Sequence, residues 1–111
     1  MYSPKQLDLI CVVSSVLNEH PDRLMTYGFL GRRTGHCPDS KYLAIALGVI
    51  QDIDAGCKRP LRSARVVRKD KKRPGKGFWE YAQHLGYETP KGFWRSQCEL
   101  QGVSDFETLL V

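Results

Sequence analysis

Most of the signatures that mark an enzyme are missing from this chain. It has no G-x-x-x-x-G-K-[ST] phosphate loop, no G-x-G-x-x-G turn, no H-E-x-x-H helix and no paired carboxylate site. His20, His36 and His84 show no ligand spacing, and Cys11, Cys37, Cys57 and Cys98 form no C-x-x-C pair. No metal and no cofactor are therefore expected, and the cysteines read as free thiols in a reducing compartment. No apolar run approaches the roughly 18–20 residues that span a bilayer. Asp8 interrupts the N-terminal apolar stretch, and no small-residue cleavage site follows it. The expectation is a cytoplasmic, non-enzymatic protein.

What is present points to one folded domain. A length of 111 residues favours a single unit, and 41% hydrophobic against 26% charged residues is a globular balance. Charge divides the chain further. Residues 58–76 hold ten Lys and Arg against one Asp, whereas residues 1–57 sum to −1 and residues 77–111 to −3. One segment thus carries all of the excess positive charge. Such a block repels itself unless a polyanion is near, so nucleic acid is the first expected partner and an acidic protein surface the second.

The expected organisation is a helical part over 1–57, a basic wing over 58–77 and C-terminal helices over 78–111. Ser3, Pro4 and Gln6 supply an N-cap, an N1 proline and a capping-box residue. Leu7, Ile10, Cys11, Ser14 and Leu17 follow at helical spacing, widened by Val13 and Val16, until His20-Pro21 stops the helix. Thr26 can cap a short second helix through Tyr27, Phe29 and Leu30, weakened by Gly31 and ended by Gly35. Asp39 or Ser40 caps a third. There Leu43, Leu47 and Ile50 form one face, Tyr42, Ile45, Val49 and Ile53 broaden it, and Gly56 stops it. Two helices joined by a short Gly- and Pro-containing turn fit a helix-turn-helix.

Pro60 to Val67 reads as a strand, and Arg68 to Gly75 as the tip of a basic hairpin. Phe78, Trp79, Tyr81, Ala82 and Leu85 suit a fourth helix. Thr89-Pro90 opens a fifth with Phe93, Trp94, Cys98 and Leu100, and Ser104 caps a last short one. The expected fold is mainly α with a small β-hairpin, a winged helix-turn-helix with extra C-terminal helices. Cys11 and Cys98 fall on apolar faces, and Trp79 and Trp94 read as packing residues, with base stacking the other use of an indole.

The stretch from Leu24 to Phe78 resembles the C-terminal domain of the O6-alkylguanine-DNA alkyltransferases and the alkyltransferase-like proteins. Members carry V-x-T-Y-G-x-L-A, and here Met25-Thr26-Tyr27-Gly28-Phe29-Leu30-Gly31 stands. Their A-V-G-x-A segment is matched by Ala46-Leu47-Gly48-Val49-Ile50, and their P-C-H-R-V-V by Arg62-Ser63-Ala64-Arg65-Val66-Val67. Pro74-Gly75-Lys76-Gly77-Phe78 loosely follows their glycine-rich loop and aromatic residue. The order and spacing of the four motifs agree over about half the chain.

The resemblance implies a winged helix-turn-helix that binds DNA through its third helix and wing. It also places the family's nucleophilic cysteine on Ser63 and its activating histidine on Ala64. A serine without a base is a poor nucleophile, and a methyl acceptor needs a thiolate, so alkyl transfer is not expected. The arginine that alkyltransferase-like proteins place in the base stack falls on Ile45, with Lys41 the nearest basic residue.

The candidate DNA contacts are Arg62, Arg65, Arg68, Lys69, Lys71, Lys72, Arg73 and Lys76, each able to pair with a phosphate. Arg32 and Arg33 can join them, and Ser40, Lys41 and Tyr42 open the third helix, where a phosphate or base edge can sit. Tyr27, Ser63, Ala64 and Phe78 mark a degenerate pocket. Three functions compete: non-catalytic binding of duplex DNA, a protein–protein module for an acidic partner, and a sensor of alkylated or modified bases using the space beside Ser63.

Overall fold

The computed structural model describes residues 2–87 and 90–111. Their order is α1 (Pro4–Glu19), β1 (Met25–Thr26), α2 (Tyr27–Thr34), α3 (Lys41–Gly56), a 3-10 turn (Arg62–Arg65), β2 (Val66–Val67), α4 (Lys76–His84) and α5 (Pro90–Glu99). The fold is mainly helical with a two-stranded parallel sheet. Thr89, expected to open the fifth helix, lies outside the described residues; Pro90 is that helix's first residue.

The helix ends follow local chemistry. Ser3 and Gln6 close a reciprocal capping box on α1, with Pro4 in the first turn. Thr26 accepts from the Phe29 amide at 3.0 Å and caps α2. Gly35 ends α2 at φ +77°, a left-handed position that glycine takes without steric cost. Ser40, not Asp39, caps α3 through the Tyr42 amide. Gly31 lets α2 pass close under the next turn, because a Cβ there would strike the His36 backbone carbonyl.

The sheet is not the expected hairpin. Met25 pairs with Val66 and Thr26 with Val67 in parallel, so β2 docks on the strand before α2. Of the expected Pro60–Val67 strand, only Val66 and Val67 pair as a strand. Upstream, the carboxylate of Asp54 takes the Arg62 amide at 3.0 Å and Ala64 N–H bonds to Leu61 O, which winds Arg62–Arg65 into a 3-10 turn. The basic tip survives as a tight loop closed by one antiparallel bridge, Arg68 to Arg73. The helix expected after Ser104 is also absent. Asp105 instead accepts from the Glu107 and Thr108 amides, and Leu110 then bonds to Leu24 and Thr26 alongside β1.

Two buried clusters lie on the two sides of this sheet. Leu9, Val13, Val16 and Leu17 of α1 pack with Leu30, Leu43, Leu47, Ile50, Met25 and Val66. Leu24, Leu61, Ala64, Val67, Phe78, Trp94, Cys98 and Val103 form the other. Successive strand residues point to opposite faces, which is why Leu24 and Met25, and Val66 and Val67, divide between the clusters. The expected α1 face holds at Val13, Val16 and Leu17, which are buried, and at Ile10, which packs on them, but Leu7 and Cys11 are exposed and Leu9 is buried instead. On α3, Tyr42, Ile45 and Ile53 are exposed instead of broadening the core, while Gln51 and Asp54 are buried. No helix among the described residues is long and apolar enough to cross a membrane.

Candidate functional site

Two of the expected phosphate contacts fold inward. Arg65 is 1% exposed. Its guanidinium donates to Leu17 O at 3.0 Å, to His20 O and to Gln101 Oε1 at 2.7 Å. Leu17 O and His20 O are carbonyls at the C-terminal end of α1, where the last carbonyls have no partner within the helix, so a cation there works as a C-terminal cap. Burial lowers the Arg65 pKa to about 10, which still leaves it charged at neutral pH. Arg62 pairs with the buried Asp54 carboxylate at 2.9 Å and reaches Ser14 Oγ and Asn18 Oδ1 on α1. Arg59 meets the same carboxylate at 3.2 Å. A buried carboxylate needs such partners, so these arginines are committed to the fold.

Other expected contacts point elsewhere. Arg33 pairs with Glu19 at 2.7 Å and lies over Phe29. Tyr42 faces a groove against Leu9 and Val12 of α1, and Lys41 lies over its ring. Lys72 meets Glu107 at 2.8 Å in an exposed pair, which does not commit it to the fold. Ala64 is fully buried in the second cluster, where its carbonyl accepts from Trp94 Nε1 at 2.7 Å, so it lines no pocket.

The remaining candidates converge. A cavity of about 550 Å³ lies between the N-terminal half of α3 and the start of α4. Ser63, Gln51, Tyr27 and Phe78 line it together with Pro38, Asp39 and Ser40 before α3, Ala44, Leu47 and Gly48 on α3, and Gly75, Lys76 and Gly77 at the start of α4. Neither Tyr27 nor Phe78 closes it. Ser63 Oγ donates to Gln51 Oε1 at 2.9 Å. Tyr27 Oη accepts from the Gly75 amide at 3.3 Å, and burial raises the phenol pKa. Its hydroxyl proton is paired with no acceptor among the described residues.

Two shallower concavities flank the cavity. A groove of about 460 Å³ adds Arg32, Arg68 and Lys69 and shares Tyr27, Pro38 and Asp39 with it. A cleft of about 290 Å³ holds Arg68, Lys71, Arg73 and Lys76 and shares Lys76 with it. The shared residues make one continuous surface. Among the described residues, Lys69, Lys71 and Arg73 have no carboxylate partner, while Arg68 and Lys76 have only exposed ones, Asp70 at 3.1 Å and Glu80 at 3.5 Å. Exposed pairs of this kind are worth about 0–1 kcal/mol, so they yield readily to a stronger anion.

After Lys41 and Tyr42, the exposed positions of α3 are mostly apolar, with Ala44, Ile45, Gly48 and Ile53 beside Asp52. Gln51 and Asp54 did not figure among the candidates. Their signal was available: Gln51 stands four residues after Leu47, and Asp54 four after Ile50, so both are polar residues on a buried register. Among the described residues no group of three His, Cys, Asp or Glu side chains comes together. Compared with protein-family models, with curated proteins and with solved structures, the chain matches none.

Proposed function

We propose that this chain is a non-catalytic duplex-DNA-binding domain of the winged helix-turn-helix type, with α2 and α3 as the helix pair and the Arg68–Arg73 loop as a short wing. The observation that carries the reading is the continuous cationic surface at the N-terminal half of α3. There Lys76 lines the cavity and Arg32, Arg68, Lys69, Lys71 and Arg73 line the two concavities beside it, against the carboxylates of Asp39 and Asp70; Lys69, Lys71 and Arg73 have no carboxylate partner among the described residues. Phosphates release counterions when they meet such groups. The apolar face of α3 offers few base-edge donors, which fits backbone or minor-groove contact with modest sequence preference.

Catalysis has no support at Ser63. Its proton goes to an amide oxygen, which is not a general base, so the hydroxyl remains a poor nucleophile. A second reading is favoured by the cavity itself. Its volume, its apolar wall at Phe78 and Leu47, and the Tyr27 hydroxyl suit a displaced or alkylated base, so the domain can act as a sensor of modified DNA.

Fluorescence anisotropy with a random-sequence duplex at low and moderate salt tests the first reading. Binding at low salt that weakens steeply as salt rises is expected, and no binding at low salt rejects it. The sensor reading requires a duplex carrying O6-methylguanine to bind more tightly than its unmodified counterpart.

A further inference from the structure

The cleft on the α4 side of the loop differs from the rest of the cationic surface, because it combines charge with an indole. Arg68, Lys71, Arg73 and Lys76 line it together with Pro74 and Trp79, and among the described residues no carboxylate does. Asp70 and Glu80, the partners of Arg68 and Lys76, lie outside its wall. Trp79 is half-buried. Its aromatic neighbours Phe78 and Trp94 meet it at 79° and 72°, so neither ring lies flat on it. At about 290 Å³ the cleft has room for ~10 waters at ~30 Å³ each, the scale of one nucleotide rather than a run of them.

Phosphates of intact duplex satisfy cations but keep their bases stacked inside the helix, out of reach of a protein indole. An acidic peptide likewise leaves the indole without a partner. A positively charged concavity with an aromatic wall is the arrangement that holds single-stranded nucleotides, the phosphate among the cations and the base on the ring. We propose that this cleft binds one unpaired nucleotide, its phosphate among Lys71, Arg73 and Arg68 and its base against Trp79. The inference rests on the duplex-binding reading and deepens it: the preferred ligand is a duplex with an adjoining single-stranded overhang.

The test uses anisotropy for affinity and tryptophan emission for the cleft. Trp94 is 3% exposed, so quenching by a ligand reports on Trp79. The probes are a blunt duplex, the same duplex with a short thymidine overhang, the same overhang made abasic, a thymidine trinucleotide and an aspartate octapeptide. The thymidine overhang is expected to raise affinity about tenfold, the order that stacking one base supplies, and to quench emission. The abasic overhang keeps its phosphates and lacks the base, so it is expected to lose the quenching and the part of the gain that stacking supplies. Trp79→Leu should lose the gain and Trp79→Phe keep part of it. If Trp79→Leu does not fold, the abasic comparison on the native chain decides.

Blunt, overhung and abasic duplexes that bind alike, with unchanged emission, would overturn the cleft proposal while leaving duplex binding intact. Equal quenching by the aspartate peptide would overturn it too. Failure of the blunt duplex to bind at low salt rejects the duplex reading instead. In that case, quenching by the thymidine trinucleotide supports the cleft and its absence overturns it.

Discussion

The guanidinium of Arg65 donates to the carbonyl of Leu17 at 3.0 Å, tying the 3-10 turn to the end of α1 across 48 residues of chain. The same side chain bonds His20 O and Gln101 Oε1. A residue in the middle of the most basic stretch is therefore a bolt between three parts of the fold, and this divides the arginines and lysines into two populations.

Removing that bolt should unfold the domain before it affects a ligand. Arg65→Met strips a buried, charge-assisted set of hydrogen bonds and leaves the Leu17 and His20 carbonyls without their donor. The expected loss is about 3 kcal/mol or more, a fall in Tm of more than ~10 °C for a domain of this size. Thermal melting by circular dichroism checks it. An unchanged Tm combined with weakened DNA binding would return Arg65 to the contact surface.

Thiol chemistry should separate one cysteine from the others. Cys11, Cys37 and Cys57 are exposed, whereas Cys98 is fully buried and burial pushes its pKa up to about 12. The thiolate is the reactive form, so titration with a disulfide reagent at mildly alkaline pH should give three fast equivalents and a fourth only after denaturation. Four fast equivalents would contradict the packing of α5 on the second cluster.

Two glycines should respond to alanine with opposite signs. At Gly48, in mid-α3, nothing lies within 4 Å of an added Cβ, so Gly48→Ala should stabilise by about 0.5–1 kcal/mol through helix propensity. At Gly31 the Cβ would collide with the His36 backbone, and Gly31→Ala should destabilise by about 1–3 kcal/mol through overpacking. Urea denaturation of both variants reads the pair.

The helix ends were legible because caps are local: Ser3 with Gln6, Thr26 and Gly35 each act within one turn of their own position. The strand from Pro60 was misread because its conformation depends on Asp54, a buried carboxylate on α3 that captures the Arg62 amide. The helix after Ser104 was misread for a similar reason, since Asp105 turns the chain and Leu110 finds β1. At the candidate site, charge density marked out a segment but could not sort its members. Arg65 and Arg73 look alike in sequence, and only long-range packing buries the one and leaves the other on the surface. The two buried polar residues on α3, Gln51 and Asp54, carried the missing information, because an apolar helix face interrupted by a carboxylate calls for cations nearby.

The salt dependence of duplex binding tests the central claim most directly. Joint substitution of Lys69, Lys71 and Arg73 by Ala removes exposed cations that hold no ion pair among the described residues, so Tm should stay within a degree or two of the native chain. If each neutralises one phosphate, the slope of log affinity against log salt should become shallower by about 2–3, at roughly 0.9 per contact. A triple variant that keeps both the native affinity and the native slope would show that the loop faces no polyanion, and the DNA-binding account would fall.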